Sequence, residues 1–132
     1  MQTDVFHGVL LDVGFMDRHY PETFSCFAHK KSGDWGLYGI KIPRDELENT
    51  VLSIQANMRA DKQFYNHLYD DEVLIVIFKT RVFRAKAHCS SWADIQQYGI
   101  SLDIPIAQLD FWPNRFQDEV HYFGWEDFVE QA

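Results

Sequence analysis

The segment Val73–Phe78 constrains the fold of this chain more than any other, because all six of its residues are apolar. An apolar run of this length without alternation is typical of a strand buried on both faces of a sheet. It is also the longest apolar run in the chain, far below the roughly 20 residues that cross a bilayer. The sequence therefore predicts a central strand that is covered on both faces.

Shorter patterns predict the elements on either side. Residues 24–31 and 35–42 read as a hairpin closed by Ser32-Gly33-Asp34, and residues 64–69 and 82–88 as further strands. In residues 5–15 the apolar positions alternate, which predicts a strand with one buried face. That predicted buried face consists of Val5, His7, Val9, Leu11, Val13 and Phe15.

Two helices complete the expected fold. Apolar residues spaced by four and three predict a helix over residues 43–60, and a second helix begins at Ser90 or Ser91 and ends near residue 102. We expect an α+β fold, a single domain over residues 1–132, with an antiparallel sheet of about five to six strands. Both main helices are expected to pack on one face of this sheet. The apolar stripe of the first helix is Leu47, Val51, Ile54 and Met58.

The chain is acidic, with 20 acidic and 12 basic residues and a net charge of −8. The C-terminal segment (residues 103–132) carries seven acidic residues and one base, Arg115. This balance argues against nucleic-acid partners and anionic membrane surfaces, both of which are bound through Lys and Arg. No basic and apolar leader pattern opens the sequence, and there are only two cysteines, so we expect a cytoplasmic protein with free thiols.

Cysteine and histidine form two short pairs, Cys26 with His29 and His88 with Cys89. On a strand, adjacent residues and residues three apart point to opposite faces, so neither pair is expected to hold zinc. A disulfide between the two cysteines stays open, since sequence alone does not give their separation. We find no cofactor motif and no catalytic constellation, and we interpret His7 as a core histidine bonded to a backbone carbonyl.

Basic residues concentrate in residues 79–86, which hold four of the twelve bases of the chain. Arg84 and Lys86 have the solvent-facing parity of their strand, and Arg81 can reach the same side. With His88 they form a candidate anion-binding strip. Two other interpretations stay open: the bases protect a strand edge from pairing, or they pair with the acidic C-terminal segment.

An aromatic loop over residues 111–116 is the second candidate site. Pro113 excludes it from a helix interior or central strand, and large aromatic residues with one arginine are typical of protein-interface anchors. The alternative is that these aromatic side chains complete the core of the domain itself. The candidate partner-binding residues are Phe111, Trp112, Asn114, Arg115 and Phe116.

These observations favour a non-catalytic protein-binding module, either an inhibitor-like or antitoxin-like protein or an adaptor. Its partner would be a basic protein, a second copy of the chain, or both. The alternative is a small enzyme or a domain that binds a small ligand or anion. Its pocket would lie between the sheet and the C-terminal segment, with Arg81, Arg84, His88 or His121 as polar groups. A third interpretation is a nucleic-acid binder that uses the basic strip and stacking aromatic residues.

Overall fold

A computed structural model describes residues 4–87 and 92–128, which contain one six-stranded antiparallel sheet. Its strands follow the order β2-β3-β1-β4-β5-β6. Together with three α-helices they confirm the predicted α+β fold class. The strands are β1 (Val5–Leu11), β2 (Ser25–Ser32), β3 (Trp35–Pro43), β4 (Tyr65–Tyr69), β5 (Val73–Phe78) and β6 (Val82–Lys86). The helices are α1 (Leu47–Asn57), α2 (Ala93–Ser101) and α3 (Glu119–Tyr122).

Strand β5 lies inside the sheet, between β4 and β6, and is covered on both faces as predicted. Ile75 and Ile77 belong to the core cluster under α1. Leu74 and Val76 point the other way and belong to a second cluster with α2. The two sets alternate along β5, as the pleat of a strand requires.

Helix α1 confirms the predicted apolar stripe. Leu47, Val51, Ile54 and Met58 are all buried in the first cluster. The regular helix begins four residues later than Pro43, because Pro43 ends β3 and Arg44–Glu46 form a 3-10 turn.

The prediction that both helices pack on one face is wrong. Helix α1 covers one face, whereas Ile95 of α2 and the preceding Trp92 pack on the opposite face against Leu74 and Val76. The physical reason lies in β5: a strand that is apolar on both parities leaves two apolar faces, and each must be removed from water. The predicted helix start at Ser90 or Ser91 falls outside the described residues.

Strand β1 is also buried on both faces, which corrects the prediction of a single buried face. Phe6 and Leu10 contact the α1 cluster, while Val9 packs on the opposite face. The strand is shorter than predicted, because Asp12–Gly14 form a 3-10 turn that returns Phe15 to the α1 side. Since β1 lies between β3 and β4, both of its faces fall under covering elements.

The C-terminal segment covers the rest of the second face. Phe123 packs with Val9 and Phe27, and Phe128 forms an isolated bridge with Ala28 on β2. Within the described ranges, the helices are too short or too polar to span a membrane. The second face therefore has two covers, α2 toward β5 and β6, and the aromatic end of the chain toward β1 and β2.

Candidate ligand-binding cleft

A half-open cleft of about 360 Å³ lies on the second face of the sheet, between these two covers. Its floor is formed by side chains of three adjacent strands, β3, β1 and β4. Register places them side by side, since Leu11 pairs with Leu37 and Val9 pairs with His67. The floor is apolar except for the imidazole of His67.

Aromatic residues make up much of the cleft wall. Trp35 and Phe64 meet edge to face with ring centroids 6.1 Å apart, and Trp112 and Tyr122 do the same at 5.5 Å. The Tyr65 hydroxyl donates a hydrogen bond to the carbonyl of Gln108, which fixes that ring at the wall. Both tryptophans keep 37% of their surface exposed, so their rings are available to a ligand.

His67 is held in one tautomer. Its Nε2 lies 2.7 Å from the carbonyl oxygen of Pro113, which only accepts, so Nε2 carries the proton. Burial lowers the pKa of His67 to about 4, against the smaller opposing effect of that hydrogen bond. The ring is therefore neutral at pH 7, and Nδ1 is left as an acceptor.

Lys30 supplies the positive charge in the cleft lining, and its ammonium is already engaged. Nζ donates to the carbonyl of Tyr122 at 2.7 Å and lies 3.7 Å from the centre of the Tyr122 ring. Burial lowers the pKa of Lys30, while the charge of Asp127 acts in the opposite direction. The contact places an ammonium group against this aromatic wall, at a distance typical of a cation–π interaction.

Asp110 supplies the negative charge. Its Oδ1 accepts a long hydrogen bond of 3.4 Å from the backbone N–H of Trp112. No Lys, Arg or His of residues 4–87 and 92–128 forms an ion pair with it. Burial and then the nearby Asp110 charge raise the pKa of Tyr122 to about 12, and the same two causes raise the pKa of Tyr65. The exposed carboxylate therefore shares the cleft lining with two tyrosines, without a cationic partner in the described chain.

A separate buried cluster lies beside the cleft and joins the C-terminal segment to the sheet. Glu119 accepts hydrogen bonds from the Tyr69 hydroxyl and from Nδ1 of His7, each at 2.6 Å. Phe27 and Phe116 pack on the His7 ring with centroids 4.6 and 4.5 Å away. The prediction of a backbone carbonyl as the partner of His7 is wrong, because α3 brings a carboxylate there. The predicted arrangement occurs instead at His67, which the sequence did not single out.

The predicted partner-binding loop divides into buried and exposed residues. Phe111 is fully buried in the α2 cluster, so it is corrected to a core residue. Asn114 is also buried and donates from Nδ2 to the Phe111 carbonyl at 3.2 Å. Phe116 is half-buried against His7, while Trp112 and Arg115 are exposed. A partner-binding role stays a prediction for Trp112, Asn114, Arg115 and Phe116.

The predicted anion-binding residues only partly come together. Arg81 and Arg84 line an open depression beside β6, but Asp94 lines it too. Arg84 forms a 2.6 Å ion pair with Glu48 of α1, and the Arg81 guanidinium lies 4.3 Å from the centre of the Phe83 ring. Lys86 shares the face of Arg84, as expected from their parity. His88 falls outside the described residues, and anion binding stays a prediction.

Of the two cysteine and histidine pairs, the one formed by Cys26 and His29 lies within the described residues. The Cys26 thiol lies 3.7 Å from the Pro21 carbonyl and 3.6 Å from that of Phe24, and burial raises its pKa. Among residues 4–87 and 92–128, no cluster of three or more potential metal ligands occurs. Cys89 and His88 lie outside the described residues, so the question of a disulfide stays open.

Comparisons with protein families, with curated proteins and with solved structures find no match to this chain. The cleft is therefore interpreted from its own residues.

The polar side chains of the cleft differ from those expected for a pocket at this place, since Arg81, Arg84 and His121 do not line it. Sequence reasoning missed Lys30, Trp35, His67 and Asp110. The sequence offered one signal, which was Trp35. A residue beside a tight turn tends to be exposed, and an exposed tryptophan is unusual.

Proposed function

We propose that the protein is a small-molecule-binding domain whose ligand occupies the cleft on the second face of the sheet. The observation that carries the proposal is the cleft itself: about 360 Å³, half-open, with an apolar floor and aromatic walls. Ligand sites are typically concave, aromatic-lined and supplied with few polar groups, and they measure roughly 300–1,000 Å³. Lys30, His67 and Asp110 are such polar groups here.

Binding fits the polar groups better than catalysis. A nucleophile must be hydrogen-bonded to a base, and the base must be oriented by a third group. In the described part of the chain, Ser32 of the cleft makes no hydrogen bond to a histidine or carboxylate, and the Nε2 proton of His67 is committed to Pro113. The lining therefore supports recognition of a ligand, with the rings supplying contact area and the polar groups orientation.

A matched pair of substitutions tests the proposal. Leu37→Trp fills the cleft floor, while Leu52→Trp adds the same ring to the solvent face of α1, where Leu52 is 64% exposed. Backbone amide chemical shifts are recorded while a mixed fragment library is added. We expect hits that shift the amides of Leu37, His67 and Trp112 in the parent and in Leu52→Trp, but not in Leu37→Trp.

Two results would contradict this function. One is a library without hits at these amides. The other is a Leu37→Trp protein that has the parent's melting temperature and still binds the same fragments with unchanged affinity. A melting temperature well below that of the parent would call for the smaller Leu37→Phe change in the same assay.

A second candidate is the protein-contact function expected from composition. Its support is Trp125, which is 80% exposed in a 3-10 turn beside Glu126 and Asp127. An exposed tryptophan among acidic residues is typical of an interface anchor.

Sedimentation tests the version of this function in which the partner is a second copy of the chain. The parent protein should associate, and Trp125→Ala should be monomeric. A monomeric parent would contradict it. The cytoplasmic location and a basic foreign partner stay predictions.

A further inference from the structure

The charge pattern of the cleft specifies its ligand further. Asp110 is the carboxylate of the lining, and in residues 4–87 and 92–128 it has no ion-pair partner. Asp110 is exposed to solvent, so a cation that enters the cleft can reach its carboxylate without displacing a protein group. A ligand group that complements the Asp110 carboxylate would thus carry a positive charge.

Aromatic residues line the cleft together with this carboxylate and favour the same kind of ligand. Trp112 follows Asp110 closely in the chain and is bonded to it through its backbone N–H. Tyr65 and Tyr122 lie near enough for the Asp110 charge to act on their hydroxyls. Ring faces attract ammonium groups within about 6 Å, and tryptophan does so most strongly. A carboxylate that shares a cleft with such rings suits an organic cation.

Lys30 does not reverse this preference. Its ammonium already donates one hydrogen bond to the Tyr122 carbonyl and lies over the Tyr122 ring. An anionic ligand that took up the remaining N–H donors of Lys30 would also meet Asp110 in the same lining. The net charge of −8, concentrated in the C-terminal segment that forms one wall, raises the local concentration of cations and lowers that of anions.

We propose that the ligand of this cleft is an organic cation, a protonated or alkylated amine on an apolar body, whose charge lies between Asp110 and the ring of Trp112. This inference rests on the proposed small-molecule function. It adds the sign of the ligand charge and the residue that recognises it.

Three probes of one shape separate the possibilities: 2-phenylethylamine, 2-phenylethanol and 3-phenylpropionate. Each is titrated into the intact protein at pH 7 while amide shifts near the cleft are followed. We expect the amine to bind about tenfold more tightly than the alcohol, the combined gain of an exposed ion pair and a cation–π contact, and the acid to bind most weakly. Equal or tighter binding of the alcohol or the acid would overturn the cation assignment and leave the binding function standing. Absence of binding by all three would count against both.

Charge-removing variants identify the residue responsible. Asp110→Asn keeps the shape of the side chain, and Asp45→Asn removes an exposed carboxylate from the turn before α1. We expect Asp110→Asn to weaken binding of the amine by about threefold, the effect of an ion pair at an exposed carboxylate, and to leave binding of the alcohol unchanged, while Asp45→Asn binds the amine as the parent does. An unchanged affinity of Asp110→Asn for the amine, or an equal loss in both variants, would overturn the role of Asp110.

Discussion

Truncation of two neighbouring aromatic residues should have very different effects on stability. Phe111 is fully buried, and its ring meets Tyr65 and Trp92 edge to face at 5.2 and 5.5 Å. Trp112 follows it directly but is 37% exposed at the wall of the cleft. The Phe111→Ala and Trp112→Ala variants therefore compare a core position with a surface position in one loop.

The size of each effect follows from burial. Removal of a buried phenylalanine side chain costs about 3–5 kcal/mol, because both the transfer energy and the cavity left behind count. Phe111 has a φ of 48°, which alanine tolerates no better than phenylalanine, so the difference measures packing. Trp112 loses only part of its contact area and its ring contact with Tyr122, which we estimate at roughly 1–2 kcal/mol.

Urea denaturation followed by circular dichroism measures both changes. Domains of this class have unfolding free energies of about 5–15 kcal/mol, so a loss of 3–5 kcal/mol leaves a measurable transition. Phe111→Leu serves as the control that retains most of the buried volume. A loss below about 1 kcal/mol for Phe111→Ala, or a larger loss for Trp112→Ala, would refute the assignment of Phe111 to the core.

Three further predictions concern the core, pH and metal. Ile75→Ala on β5 should lower the unfolding free energy by about 2–5 kcal/mol in urea denaturation, and a loss below about 0.5 kcal/mol would place β5 at an exposed position. Because burial lowers the pKa of His67 to about 4, the unfolded chain takes up this proton first as the pH falls below about 6.5. Stability should then decrease by about 3 kcal/mol between pH 6.5 and 4, and His67→Gln should lack this part of the pH profile. A chelator should leave the melting temperature unchanged, since the Cys26 thiol faces two carbonyls; one zinc per chain that is lost in Cys26→Ser would contradict this.

Local patterns predicted the elements of the fold well. The stripe of α1 and the continuous apolar run of β5 each report on their own surroundings, because burial follows the period of the element. The placement of α2 is a different kind of question. Its periodicity indicates that one side is buried but not which face of the sheet buries it, so the prediction of a shared face failed.

The cleft was harder to predict, because it depends on contacts between distant parts of the chain. Lys30, Trp35 and His67 belong to β2, β3 and β4, and Asp110 follows α2. They come together only through the register of β1 with its two neighbours and the return of the C-terminal segment. Glu119 shows the same limit, since nothing near it in sequence indicates that it accepts hydrogen bonds from His7 and Tyr69.

The position of a bound amine tests the central claim most directly. With 2-phenylethylamine added, nuclear Overhauser effects between its ring protons and the indole protons of the protein report which tryptophans it contacts. The account predicts contacts with Trp35 and Trp112, the two tryptophans that line the cleft. Contacts confined to Trp125, which lies outside the cleft lining and is 80% exposed, would contradict the account.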